Sequence, residues 1–172
     1  MNIIDKKFNK NILQILPIIF LYILVLTGFD FSFVFYGIDL SFNFVYLIIF
    51  FFVLKSPNNL GYGLIFFAGI INDVVQNFPI GISSINYLLL CAIAAFIRSR
   101  MVLPNLFYDW ILFLIAILII SSVNYTTLTM IFEIPIEYGV LMSNSILTFL
   151  IYPVISKIFN ENILLIMRSE DD

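Results

Sequence analysis

Histidine is missing from these 172 residues, cysteine and tryptophan occur once each, and only 11% of positions are charged. Without histidine there is no Ser-His or Cys-His pair and no His-ligated metal site, and one cysteine cannot replace it. That cysteine, Cys91, lies inside "YLLLCAIAAF", so a disulfide framework is excluded and the side chain reads as a small buried apolar group. The eight Lys and Arg form no basic patch, which removes nucleic acid as a partner. The net charge of −3 says little about partners, because four of the eleven acids, Glu161, Glu170, Asp171 and Asp172, crowd the last dozen residues as a solvated tail.

What is present is hydrophobic: 62% of residues, with a mean hydropathy of +1.10. A water-soluble fold of that composition could not cover itself with polar surface, so the chain reads as a membrane protein. Apolar runs long enough for a hydrocarbon core of about 30 Å recur throughout, with no room between them for a second folded unit. The expectation is one integral domain over 1–172, an all-α bundle of six transmembrane helices at about 12–29, 40–54, 60–77, 80–97, 110–132 and 138–158. The first run, "NILQILPIIFLYILVLTGF", is long and is followed by no small-residue cleavage site, so it counts as a helix and not a signal peptide. The second run reaches only about 22 Å at 1.5 Å per residue. It must extend back through "GIDLSFNF" or have its ends shielded by neighbours.

Charge tests the count independently. Lys6, Lys7 and Lys10 precede the first run, Lys55 follows the second, Arg98 and Arg100 follow the fourth, and Lys157 and Arg168 lie at or beyond the end of the sixth. With six spans all of these fall on one face, and the opposite loops carry Asp30, Asp39, Glu133 and Glu137. The positive-inside bias then makes both termini cytoplasmic.

In "GIINDVVQNFPIGISSIN" an acid, Asp73, sits one turn from the outer end of the third helix. Gly69 precedes it and Asn77 follows it by four residues on the same face, so a neighbouring helix can approach closely beside the acid. Other polar residues share the outer halves: Asn72; Ser83, Ser84 and Asn86; Asn124, Thr126 and Thr127; Ser143, Asn144 and Ser145. Two readings are open. Either the polar groups simply bond helix to helix with Asp73 capping or snorkelling, or they line an outward cleft for a ligand or a partner's helix. Pro17 and Pro153 bend helices whose neighbours satisfy the freed carbonyls, and Pro79 and Pro135 sit in outer loops. Gly61 and Gly63 read as packing glycines, since no P-loop lysine follows. An intramembrane aspartyl site needs two facing aspartates, and only Asp73 falls within a span. No catalytic residue, metal or cofactor is expected.

The stretch from Leu54 to Pro57 followed by "GYGLIFFAGIINDVVQNFPIG", with Gly69, Asp73 and Gly81 spaced as G-x3-D-x7-G, resembles the MreD family of bacterial rod-shape-determining membrane proteins. Asn144 and Pro153 on the last helix, the six spans and the charged ends extend the resemblance over most of the chain. It implies a non-enzymatic component of the cell-wall elongation machinery in the inner membrane. Its partners would be the lipid bilayer, the bitopic protein MreC, the wall synthases of the elongasome and, directly or indirectly, actin-like MreB. The implied fold resembles the substrate-binding component of vitamin transporters, which supplies the alternative that an outer pocket holds a vitamin. Short outer loops, and the lack of an outward Trp or basic group to grip an anionic vitamin, favour the partner. The residues expected to bind partner or ligand are Gly69, Asn72, Asp73, Asn77, Gly81, Ser84, Asn86, Asn124 and Asn144.

Overall fold

A computed structural model describes the backbone of residues 3–28, 31–35, 38–56, 60–100, 105–134 and 137–171, and side chains within 15–28, 41–56, 60–100, 105–134 and 137–161. Helix α1 (Ile3–Thr27) is followed by strands β1 (Phe31–Phe35) and β2 (Ile38–Phe42), then α2 (Phe44–Lys55), α3 (Tyr62–Gln76), α4 (Ile82–Arg100), α5 (Leu106–Thr126) with a π-helical turn at Thr127–Ile131, and α6 (Tyr138–Asp171). Among the described residues, three segments are long and apolar enough to cross a membrane: Ile82–Arg100, Leu106–Ile131 and Tyr138–Glu161. Ile15–Thr27, Phe44–Lys55 and Tyr62–Gln76 are shorter apolar helices.

The architecture follows from α2. Its sequence "FVYLIIFFFVLK" has no polar face, and every residue from Val45 to Leu54 except Tyr46 is buried. A helix apolar all round belongs in the centre, and α1, α4 and α6 pack about it. The Asn43 side chain caps its start, accepting the Tyr46 N–H at 3.2 Å. At its end Arg98 donates to the Val53 carbonyl at 3.0 Å, and Lys55 pairs with Asp109 at 2.5 Å. The short second run thus has its ends shielded by neighbours. It does not extend back through "GIDLSFNF", because residues 38–42 pair antiparallel with 31–35, Phe31 opposite Phe42 and Phe35 opposite Ile38.

Rings fill the space beside α2. Phe50 lies 5.0 Å from Phe113 and 5.7 Å from Tyr152, which stack on each other at 4.6 Å, while Phe51 and Phe52 both meet Phe159. Pro153 lies inside α6 and has no N–H for the carbonyl of Phe149 one turn earlier. Trp110 Nε1–H donates to that carbonyl at 2.9 Å with its ring stacked on Phe149. Pro79 lies between α3 and α4; Pro135, Asp30 and Pro57 fall outside the described residues.

Helices α1 and α3 run parallel: Tyr22 donates to the Leu64 carbonyl at 3.0 Å, and Gly28 faces Val75. Lys55, Arg98 and Arg100 gather at one end of the bundle with the start of α5, and α6 reaches that end at Phe159. Lys6, Lys7, Lys10 and Arg168 lie in α1 and α6 where side chains are not described. Helix α6 continues past 158 to Asp171, so the acidic tail expected beyond the last span is largely helical.

Candidate functional site

Asp73 is fully buried, and its carboxylate is spent on the start of the next helix. Oδ2 accepts the Gly81 N–H at 2.6 Å and Oδ1 accepts the Ser83 N–H at 2.9 Å. The first N–H groups of a helix have no partner within it, and Gly81, next to the first residue of α4, has no side chain to supply one. Asp73 caps α4 from another helix, at the positive end of its dipole. Its main-chain carbonyl meanwhile accepts the Phe78 N–H at 2.9 Å and closes α3. Asn77 does not continue the face of Asp73: it takes the left-handed conformation (φ 56) as the C-cap and is exposed.

Gly69 brings α3 against α4. A β-carbon there would lie 2.5 Å from the Ser84 nitrogen, inside any tolerable contact. Ser84, buried at that crossing, donates to the Phe66 carbonyl at 3.0 Å. Gly81 (φ +107) supplies a backbone conformation that side-chain-bearing residues avoid. Gly69, Asp73, Gly81 and Ser84 therefore form one α3–α4 joint.

The remaining amides gather elsewhere. Asn72, Asn86, Asn124 and Asn144 line an open cavity of about 290 Å³ between β2 and helices α2 to α6. Asn72 donates to Ser83 Oγ at 2.9 Å, Asn86 donates to Asn124 Oδ1 at 2.9 Å, and Ser121 and Ser145 share a bond of 2.7 Å. One wall is the hairpin, with Ser41 N–H donating to Asn144 Oδ1 at 2.8 Å and Asn43 N–H to Thr148 Oγ1 at 3.0 Å. Leu128 in the π-helical turn, Tyr46, Tyr87 and Phe78 supply apolar surface. The described lining includes no carboxylate, amine, guanidinium or thiol. Thr126 and Ser143 instead bond back to carbonyls of their own helices.

Two features lay outside the sequence reading. The hairpin gives the cavity Ser41, and the α2 cap that follows it gives Asn43, so the first loop is more than a short connection and the argument from short loops against a captured solute loses that element. Its signal was the period-two alternation on either side of "YG", Phe31, Phe33, Phe35 and Ile38, Leu40, Phe42. The second feature is Asp109, 1% exposed, which lies in the first turn of α5 and not in a loop before it. Asn105, which accepts the Phe107 N–H at 3.0 Å, is the cap that marks the earlier start. Asp73 is thus joined by a second buried aspartate, but one paired with Lys55 beside the basic end.

No family profile, curated protein or solved structure matches the chain.

Proposed function

We propose that the chain is a multi-pass protein of the bacterial inner membrane, of the MreD kind, that maintains cell shape by binding partner membrane proteins of the wall-elongation complex and catalyses no reaction. In this reading all six helices cross the bilayer, the short α2 inside the bundle and the short α3 on its outside with an apolar face of Leu64, Phe67 and Val74 turned to lipid, with the basic end cytoplasmic and the amide-lined cavity outermost. The observation that carries it is the cavity: open, lined by asparagines and without a carboxylate, amine, guanidinium or thiol among its described lining. Such a surface can hold a partner by hydrogen bonds and shape, and its described lining sets no carboxylate, imidazole, amine or thiol beside the serine hydroxyls to activate them. The G-x3-D-x7-G spacing supports the same reading, since Gly69, Asp73 and Gly81 together build the α3–α4 joint that forms one side of the cavity.

Depletion in the native bacterium tests it. Cells should widen or round, and a tagged copy should co-purify with a single-span partner of the MreC type. Normal shape with loss of uptake of one vitamin would replace this reading with the transporter alternative. A cysteine introduced at Ser99 should be labelled only from the cytoplasmic side; labelling from outside in intact cells would overturn the orientation.

A further inference from the structure

We propose that the cavity recognises an uncharged amide group, one that both donates and accepts hydrogen bonds, and rejects carboxylates and amines. The proposal deepens the partner reading and rests on it only for the source of the amide, which is either the main chain of an extended partner segment or a free neutral solute.

The donor and acceptor inventory of the four asparagines specifies the chemistry. Asn72 gives its amide to Ser83 and keeps its oxygen; Asn144 accepts from Ser41 and keeps both N–H groups. The Asn86–Asn124 pair spends one donor and one acceptor whichever way its amides are turned, leaving one oxygen and one NH₂. The described partners thus leave the cavity unspent donors and acceptors side by side, and no charge. A carboxylate entering it would find no cation, and an ammonium no anion, after losing its water. An amide loses less on desolvation and can pair at both ends.

The fold already holds amides in this manner. On the wall formed by α6, Asn144 and Thr148, one turn apart, accept the main-chain N–H groups of Ser41 and Asn43, alternate residues of an extended segment. The unspent groups of Asn72, Asn86 and Asn124 lie across the same cavity. The π-helical turn that places Leu128 in the lining is a device that recurs at binding sites.

The test uses the full chain in detergent and two matched probes, neutral N-acetylglycine methylamide and anionic N-acetylglycine, with saturation-transfer NMR as readout. The diamide should receive saturation from the protein, and the anion should bind at least about tenfold more weakly. Transfer should vanish in Asn86→Leu/Asn124→Leu and also in Asn124→Asp, which is nearly isosteric and keeps an acceptor for Asn86 but loses the unspent NH₂. No transfer to the diamide, equal transfer to the anion, or full binding by Asn124→Asp in folded protein would overturn the proposal. A photo-crosslinking residue at Val140 in living cells separates the sources. A protein adduct identifies a partner's main chain; diamide binding without any adduct keeps the amide site, assigns it to a free solute and sinks the partner reading alone.

Discussion

The two ends of the bundle solve the same problem in opposite ways. Around Lys55 the helices close on a solid core of rings, with charge held by partners, Lys55 by Asp109 and Arg98 by the Val53 carbonyl, set where cations meet the C-terminus of α2 and an acid meets the N-terminus of α5. Around Asn124 the helices stand apart about a cavity whose polar groups are all neutral among the described lining. The closed end holds α2 in place; the open end keeps hydrogen-bonding capacity unused. Substitutions at the closed end and at the joint should therefore act on stability, and those at the open end on binding.

The largest effect is expected at the joint between them. Gly69→Leu drives a side chain into the Ser84 backbone, which cannot move without separating α3 from α4, at a cost of about 3 kcal/mol or more. Fluorescence-detected size exclusion should show little monodisperse protein; a normal profile would mean that the two helices are not held this closely.

Asp73→Leu follows. It strips the Gly81 and Ser83 N–H groups of their acceptor, at about 2–4 kcal/mol for the two. Asp73→Asn retains one acceptor oxygen and should lose roughly half as much. Thermal unfolding in detergent ranks the three proteins, and equal midpoints would return Asp73 to a partner-binding role. Sequence offered this acid as a cap or a snorkelling group, or as part of a cleft, and Gly69 as a close approach of some neighbouring helix beside it. That both serve one joint was not legible, because nothing in a linear pattern shows that a carboxylate in one helix is the cap of the next.

At the closed end, Asp109→Asn should cost about 2–3 kcal/mol, below the range for fully buried pairs because Lys55 retains 23% exposure. Lys55→Met/Asp109→Leu should recover most of that loss, since no unpaired charge remains. A double variant no better than the single would show that the pair does more than neutralise itself. The pair escaped the sequence reading because the fifth run was started at Trp110 on hydropathy alone, one residue after the acid. The hairpin escaped for a related reason: with Asp39 and Ser41 inside it, "GIDLSFNF" reads as a helix margin, although its alternation is that of a strand.

Trp110→Phe should show the smallest loss of stability, about 1 kcal/mol, because it keeps a ring on Phe149 and removes the donor to the Phe149 carbonyl. Combined with Pro153→Ala, which supplies α6 with its own N–H for that carbonyl, the loss should disappear. A persistent loss would mean that the indole acts through packing alone.

The most direct measurement places Asn86→Leu/Asn124→Leu in cells depleted of the wild-type protein and reads membrane abundance and cell width together. Replacing both members of a hydrogen-bonded pair leaves neither unsatisfied, so abundance should match wild type. The cells should nevertheless remain wide or round, because the neutral amide cavity is lost. Normal width at normal abundance would show that the cavity is not where this protein works.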